Sequence, residues 1–334
     1  MKKTRIALPL LLLVLLLLLI LSVRTGYTSL SFRDILRILL GGGTDGENLV
    51  VFSFRMPRIF LGMLSGMGFA LSGCVLQGLT RNPLADPGLL GINAGAGLVV
   101  VTFLSLAGTL SLGSVLSLPL FSLLGAALSG LLIYALSVRK NGGLDSMKMI
   151  LNGIAIQLGM TAAMTLLALG LDSDQYEFVA RFQAGSFWNA DWPMVLSLLP
   201  WIAAGFLLLM TKTRVLNLLE AGDEIAVGLG VRVRGEKRTL MIAALALAAA
   251  CVSSSGSMSF VGLVAPHLAR RLVGSRHQYL VPASLLTGGI VVVAADAVAR
   301  TVVQPETLPT GLVTSLIGAP YFLTMLVARR KGVR

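Results

Sequence analysis

The chain has 334 residues, of which 55% are hydrophobic and only 13% are charged, and its formal net charge is +12. Soluble domains carry about 25% charged residues, so this composition excludes an ordinary soluble protein and indicates an integral membrane protein. The basic residues occur in short clusters between apolar segments, which is typical of cytoplasmic loops and argues against a nucleic-acid-binding face. Cys74 and Cys251 lie in apolar segments, and we predict that they are small packing residues.

The first apolar segment has two interpretations, because the basic start MKKTR could belong to a cleaved signal peptide or to a membrane helix. The apolar run from Ile6 to Val23 exceeds the roughly 7 to 15 residues of a signal-peptide core. No A-x-A cleavage pattern follows it. We therefore predict a retained transmembrane helix.

Ten apolar segments are predicted to cross a membrane, because a bilayer core requires about 20 apolar residues per helix. The eighth segment is short and contains Pro266 and His267. It is kept separate from the seventh because a fused segment of about 35 residues is too long for an ordinary tilt, and because basic clusters flank the pair. The predicted segments are residues 6–23, 57–79, 90–108, 114–138, 148–171, 193–211, 239–255, 257–273, 279–303 and 310–328.

Positive charge sets the predicted orientation of these segments. With both termini cytoplasmic, 20 of the 27 Lys and Arg residues fall on the cytoplasmic side, in keeping with the positive-inside rule. The sequence therefore predicts an all-α integral membrane protein, a polytopic bundle of about ten transmembrane helices. This bundle forms one transmembrane domain over residues 1–334, with a cytoplasmic loop at about 212–238.

Three arginines stand out among the seven basic residues that this topology leaves on the extracytoplasmic side. Arg55 and Arg58 lie on either side of Pro57 at the start of the second segment, and Arg300 ends the ninth. They could extend to lipid headgroups or pair with nearby acids such as Glu306. Alternatively, they could form a functional contact.

The loop at 212–238 is predicted to bind a cytoplasmic partner. It contains two short amphipathic pieces that break at Gly222, and a loop that only joined two spans would not need an apolar face. The stretch GVRVRGEKR approaches a phosphate-binding P-loop, but Glu236 stands where lysine is required. Nucleotide chemistry would therefore belong to another chain. The apolar positions of the two pieces are Leu216, Leu218, Leu219, Ile225, Val227 and Leu229.

The string RNPLADPGLLGINAGAG, which starts at Arg81, predicts a rigid turn between the second and third segments. Proline fixes its own φ and biases the preceding residue away from helix. The turn residues are Asn82, Pro83, Asp86 and Pro87.

The fifth segment carries a polar stripe, because Gln157, Thr161 and Thr165 recur every four residues. Such a stripe can form hydrogen bonds between helices or can line a pathway for a solute. The sequence leaves both interpretations open.

Catalytic patterns are weak. The two histidines, His267 and His277, do not form a metal-binding motif, and Asp296 is the one acid well inside an apolar segment. A pair with Arg300 at the i,i+4 spacing is the simplest account of Asp296. We predict that the chain is not an enzyme and holds no cofactor or metal of its own.

Several strings together resemble the permease subunits of type II ABC importers for ferric siderophores, vitamin B12 and haem. They follow the family's order from the second segment to the C-terminus. The strings are RMPR at 55–58, GxxLxxSGxxxQ ending at Gln77, RNPLADPGLLGINAGA, LLEAGDEIAVGLGV, GSMSFVGLVAPHLARRLVG, ADAVAR and ETLPTGLVTSLIGAPYF.

The resemblance implies partners for this chain. It implies a second permease subunit, in a homodimer or a heterodimer with a paralogue, and two cytoplasmic ATPase subunits that carry ATP and Mg²⁺. It also implies an extracytoplasmic substrate-binding protein and a location in the bacterial cytoplasmic membrane. The expected solute is a ferric siderophore, with vitamin B12 or haem as alternatives; a secondary transporter without an ATPase is a rival hypothesis from another class.

The resemblance also implies residue roles. Arg55, Arg58 and Arg300 match arginines that receive glutamates of the binding protein in the B12 importer. The cytoplasmic gate is expected at Ser146 and Met147, although Asp145, Ser146 and Met147 replace a run of small hydroxylated residues. Gln157, Thr161 and Thr165 are expected to line the route. The residues expected to couple to the ATPase are Leu219, Glu220, Gly222, Asp223, Glu224, Ala226, Gly228 and Gly230.

Overall fold

The computed structural model describes residues 2–26, 30–88, 91–107, 112–138, 146–187, 190–303 and 306–331. Helices form almost all of its regular structure, as predicted. A π-helical stretch, Leu49–Arg55, joins the third helix to the fourth. The helices are α1 (Lys2–Arg24), α2 (Phe32–Leu39), α3 (Asp45–Asn48), α4 (Met56–Thr80), α5 (Ile92–Ala107), α6 (Leu112–Ser137), α7 (Ser146–Ala168), α8 (Ser173–Ala184), α9 (Trp192–Thr211), α10 (Thr213–Ala221), α11 (Asp223–Gly228), α12 (Val233–Ser255), α13 (Val261–Val273), α14 (His277–Val302) and α15 (Thr310–Lys331).

Each of the ten predicted segments contains a helix: α1, α4 to α7, α9 and α12 to α15. Within the described residues, seven stretches are long and apolar enough to cross a membrane, judged by length and composition. They lie in α1, α4, α6, α7, α9, α12 and α14, and the one in α4 extends back to Asp45. Two further apolar helices are shorter, within α5 and α15. The number of crossings and the cytoplasmic position of both termini stay predictions.

The eighth predicted segment differs most from expectation. Helix α13 has 13 residues, so it extends about 20 Å, whereas the hydrocarbon core is about 30 Å thick. The turn before it includes Phe260 in a left-handed conformation and packs against the end of α8, where the Ser257 N–H donates to the Phe182 carbonyl at 3.0 Å. Helix α13 alone is therefore shorter than the core, and the non-helical residues 256–260 precede it, so the crossing predicted for 257–273 stays a prediction.

Helix α4 forms the centre of the bundle, and nearly all of its side chains are buried. It packs against α9, α12, α13 and α14. Pro57 lies in its first turn, where the missing N–H removes no helical hydrogen bond. The helical stretch begins before the predicted boundary and runs continuously over Asp45–Thr80, because α3 and the π-helical stretch precede α4.

The backbones of α4 and α14 approach each other directly at two glycines. A Cβ atom added to Gly66 would collide with the carbonyl oxygen of Gly288, and one added to Gly288 would collide with that of Gly66. Larger residues at either position would separate the helices. The glycine-rich string in α4 therefore permits close packing, as small residues do in membrane helices.

Short helix α2 was not predicted, although its sequence carries a capping box. The Ser31 hydroxyl accepts a hydrogen bond from the Asp34 N–H at 3.2 Å, and the Asp34 carboxylate accepts one from the Ser31 N–H at 3.0 Å. This reciprocal pair satisfies backbone donors at the start of the helix. An eight-residue helix is too short to appear as a periodic segment between two spans.

Candidate functional sites at the two ends of the bundle

Two clusters of charged residues lie at opposite ends of the same helices. Arg58 lies in the first turn of α4, whereas Arg81 follows its last turn and contacts Asp223. Helix α14 repeats this arrangement, since His277 begins it beside Asn217 and Arg300 lies near its other end. With 25 residues in α4, the clusters are separated by about 37 Å along the helix. We call them the arginine cluster and the coupling segment.

The arginine cluster consists of Arg55, Arg58, Asp296 and Arg300. Asp296 accepts hydrogen bonds from Arg58 Nε at 3.0 Å and from Arg300 Nε at 2.8 Å. The Thr310 hydroxyl also donates to this carboxylate, at 3.0 Å. One buried acid thus connects α4, α14 and the start of α15.

Two of these arginines also hold the end of α1. Arg55 Nη1 donates to the Val23 carbonyl at 2.8 Å. Arg300 donates to the Thr25 carbonyl at 2.8 Å and to the Ser22 hydroxyl at 2.5 Å. Carbonyl oxygens at a helix C-terminus carry partial negative charge, so they are favourable partners for guanidinium groups. These contacts hold the end of α1 against α4 and α14.

Burial distinguishes the three arginines that were predicted to bind a partner. Arg55 and Arg300 are buried, whereas the Arg58 side chain is 17% exposed. Arg58 Nη2 has no hydrogen-bond partner in the described part of the chain. The cluster contains three guanidinium groups and one carboxylate, which is 2% exposed, so it keeps a surplus of positive charge. Of the three, Arg58 has the most exposed side chain, although its Nη2 atom is buried.

The coupling segment comprises α10, Gly222, α11 and the two residues that follow it, Leu229 and Gly230. The predicted break at Gly222 is confirmed, since this residue has φ 146° and ends α10. Helix α11 begins directly after it at Asp223. The segment therefore turns sharply and presents its two halves in different directions.

Helix α10 faces the protein, so the prediction that its leucines form an exposed face is wrong. Leu216 and Leu219 are buried, because the ends of α4 and α14 cover this side of α10. Asn217 accepts a hydrogen bond from the His277 N–H at 2.9 Å. Glu220 pairs with Arg270 of α13 at 2.5 Å. Helix α10 is consequently an internal connector.

Ion pairs also fix the start of α11. Asp223 contacts Arg81 at the end of α4, and it accepts from Lys237 of α12 at 2.6 Å. Arg81 further donates to the Leu219 carbonyl at 2.9 Å. Two acids, Glu220 and Asp223, therefore connect the coupling segment to α4, α12 and α13.

The outer surface of the coupling segment is apolar. Ile225, Val227 and Leu229 are exposed, Val227 to 61%. Among the other predicted coupling residues, Ala226 is buried, while Glu224, Gly228 and Gly230 are exposed. A small apolar surface beside a rigid frame is suited to binding another protein.

The predicted turn after α4 has its own side-chain hydrogen bonds. The Asn82 side chain accepts from the Leu84 N–H at 3.0 Å, and the Asp86 carboxylate accepts from the Gly88 N–H at 2.6 Å. Pro83 is half-buried and Pro87 is buried. Arg81, which starts this turn, also binds Asp223, so the turn and the coupling segment form one structure.

The predicted pathway residues lie on α7, much of which is exposed. Thr161 and Thr165 are exposed and Gln157 is half-buried. The Thr165 hydroxyl donates to the Thr161 carbonyl of its own helix at 2.9 Å. Because this bond satisfies the hydroxyl donor, Thr165 does not require a hydrogen bond to water or to another helix. Met147 is exposed, whereas Asp145 and the side chain of Ser146 lie outside the described residues.

Within the residues that the structure describes, no group of three or more His, Cys, Asp or Glu side chains could hold a metal ion. Sequence reasoning missed the partners of the arginine cluster on α1. Ser22 and Thr25 follow a run of leucines and carry no local signal. Their contacts with Arg300 cross 278 and 275 positions of the chain.

The helical bundle, with several helices long and apolar enough to cross a bilayer, defines the protein as a polytopic membrane protein. The chain belongs to the FecCD transport family, whose model matches residues 13–328. It is 41% identical to the iron(3+)-hydroxamate import system permease protein FhuG of Bacillus subtilis (strain 168), over 92% of each chain. It is 38% identical to the hemin transport system permease protein HmuU of Yersinia pestis, over 93% of this chain and 92% of the relative.

The fold matches a solved structure of a metal-chelate type ABC transporter in an inward-facing conformation. The TM-score is 0.83 with 29% sequence identity, over 96% of this chain and 98% of the other. The family and this match identify the chain as the permease subunit of an ABC importer of the metal-chelate type.

Proposed function

We propose that this protein is the membrane subunit through which an ATP-driven importer moves a ferric siderophore into the bacterial cytoplasm. The coupling segment is the observation that carries the proposal. Its Ile225, Val227 and Leu229 side chains are exposed and available to a partner. Glu220 and Asp223 connect it to the bundle through ion pairs. The 41% identity to a relative named for iron(3+)-hydroxamate import supports a siderophore as the solute. Haem is the second candidate, because the hemin-transport relative is 38% identical.

The mechanism follows from the rigidity of the coupling segment. Two cytoplasmic ATPase subunits bind ATP and Mg²⁺ and close on each other, and α11 moves with the subunit to which it is docked. Because α10 is packed against the ends of α4 and α14, this movement reaches the bundle. Two permease subunits then rock and open the route alternately to each side, as rigid-body transporters do.

The solute is expected to pass between the two permease subunits, along the face of α7 that carries Gln157, Thr161 and Thr165. Selectivity would lie largely in the extracytoplasmic binding protein, because a wall that bound a large chelate tightly would trap it. The exposed positions on α7 are mainly apolar, including Leu151, Leu158 and Leu166. Such a wall offers few strong interactions.

The test is reconstitution in proteoliposomes with the second permease, the ATPase and the binding protein. We expect ATP-dependent uptake of radiolabelled iron from a ferric hydroxamate, and loss of uptake on substitution of Glu220 or Glu224. Iron uptake that needs no ATPase would overturn the importer proposal. Transport of haem or vitamin B12 in place of the hydroxamate would overturn the proposed solute and would support the importer role.

Docking of the ATPase is tested separately through the exposed face of α11. Val227→Asp introduces a charge into this face and should abolish copurification of the ATPase while leaving the permease folded. Gly235→Asp is the matched control, because a Cβ atom at Gly235 meets no atom within 4 Å and no apolar surface is lost. Equal ATPase binding by both variants would contradict docking at α11.

A further inference from the structure

Helix α2 carries an exposed apolar stripe that the transport function does not use. The side chains of Phe32, Leu36 and Leu40, the last of which is the C-cap of α2, recur every four positions and are all exposed, Leu36 to 60% and Leu40 to 79%. Ile35 and Ile38 of the same region are buried. The stripe is therefore a second apolar face, beside the one that packs on the protein.

The stripe begins where the apolar surface of α1 ends. Exposed leucines cover most of α1, and this helix is long and apolar enough to cross the membrane. Its last residue, Arg24, lies over the ring of Phe32 with 5.0 Å between the guanidinium carbon and the ring centroid. Phe32 thus lies beside the end of the apolar surface of α1.

The polar residues of α2 lie in the order expected for a helix at a membrane surface. Each helical residue turns about 100°, so Leu36 and Asp34 point about 160° apart. Arg33 and Arg37 lie between these two directions and are exposed. The apolar stripe thus forms one flank, the arginines lie beside it, and the acid lies on the opposite flank.

We propose that α2 is an interfacial helix whose Phe32, Leu36 and Leu40 side chains enter the outer leaflet of the bilayer. Amphipathic helices with apolar and basic faces bind membranes in this way. Arg33 and Arg37 would lie at the level of the lipid phosphates, with their apolar stems along the acyl chains. The proposal does not depend on the solute that the protein transports.

The position of α2 has a consequence for the arginine cluster. Arg37 pairs with Glu47 of α3 at 2.5 Å, and α3 continues through Leu49–Arg55 into α4. Anchoring α2 in the leaflet therefore sets the height of Arg55 relative to the membrane surface.

The experiment uses single cysteines in the full-length protein, and both native cysteines can stay because they are buried. Leu36→Cys, Leu40→Cys and Asp34→Cys are each labelled with a nitroxide and reconstituted in lipid nanodiscs. The Asp34 variant is the control; it loses the carboxylate that accepts from the Ser31 N–H but keeps the bond from the backbone N–H of residue 34 to the Ser31 hydroxyl. Collision with oxygen, which partitions into lipid, is compared with collision with a water-soluble nickel chelate.

We expect the ratio of oxygen to nickel collisions to be several-fold higher at positions 36 and 40 than at position 34. A ratio at position 36 equal to or below that at position 34 would overturn the proposal. A label at position 36 that is water-exposed in the bilayer, and immobilised only when the binding protein is added, would also overturn it in favour of a protein partner.

Discussion

At the scale of single residues, the arginine cluster depends on one carboxylate. Asp296 pairs with both Arg58 and Arg300, and its side chain is 2% exposed. Removing one member of a buried ion pair leaves an uncompensated charge and costs about 3–5 kcal/mol. Asp296 is therefore expected to contribute more to folding than any surface acid.

Asp296→Asn tests this dependence. We expect a loss of about 3 kcal/mol in the free energy of unfolding, because two guanidinium groups lose their counter-charge. The measurement is the thermal unfolding midpoint in detergent. Asp45→Asn serves as control, since Asp45 is exposed near the same end of the bundle, and equal midpoints for the two variants would contradict the prediction.

Docking of the binding protein is predicted to depend on Arg58. Arg58→Gln should weaken the affinity by about tenfold, or 1.4 kcal/mol, because an acid of the partner loses its charged contact. The loss should be larger at low salt, where charge pairs are less screened. Binding is measured by surface plasmon resonance with Arg37→Gln as control, and unchanged affinity would leave Arg58 with an internal role.

The sequence predicts some of these contacts and not others. Asp296 and Arg300 are four residues apart on a helix, so their pairing follows from helical periodicity. Arg58 and Asp296 are 238 positions apart, and no local pattern can bring them together. Packing of α4 against α14 decides that contact.

At the scale of helices, the two halves of the coupling segment differ: α10 packs against the bundle, whereas α11 exposes apolar side chains. The two amphipathic pieces and their break at Gly222 could be predicted from apolar spacing and glycine. Which leucines face inward could not be predicted, because α10 is covered by the ends of α4 and α14, which are remote in sequence. Tertiary packing thus reversed the exposure expected for Leu216 and Leu219.

Asp223→Asn separates stability from coupling. Its ion pairs with Arg81 and Lys237 are partly exposed, and such pairs contribute about 0–1 kcal/mol, so the unfolding midpoint should change little. Uptake per ATP hydrolysed should nevertheless fall, because α11 loses its connection to α4 and α12. Transport and ATPase rates in proteoliposomes measure this ratio.

The control for this substitution is Asp174→Asn on α8, whose carboxylate is exposed. If both variants transported the same amount of solute for each ATP, the ion pairs of Asp223 would have no part in transmission.

At the scale of the whole molecule, α4 and α14 form one unit. Ten apolar segments could be identified from length and composition, but their arrangement around α4 could not. The contact of Gly66 with Gly288 depends on two glycines that are individually indistinguishable from other glycines in the sequence. Similarly, α13 is short because the turn before it packs against α8, and no local sequence pattern predicts that contact.

Gly288→Leu is predicted to separate the two central helices. The added side chain would collide with the Gly66 carbonyl and with Ala70, so we expect a loss of more than about 3 kcal/mol in unfolding free energy. Gly159→Leu on α7 is the control, because a Cβ atom there meets nothing within 4 Å. Fluorescence-detected gel filtration and thermal unfolding should show an intact control and a poorly folded variant.

The glycine contact between α4 and α14 also predicts that the two helices move as one rigid body. Two helices whose backbones touch cannot slide or bend independently, so a tilt at one end is reproduced at the other. Over about 37 Å of helix, a tilt of about 5° displaces the far end by about 3 Å. A small movement of the coupling segment would therefore displace the arginine cluster, and a partner bound at those arginines would in turn shift the coupling segment.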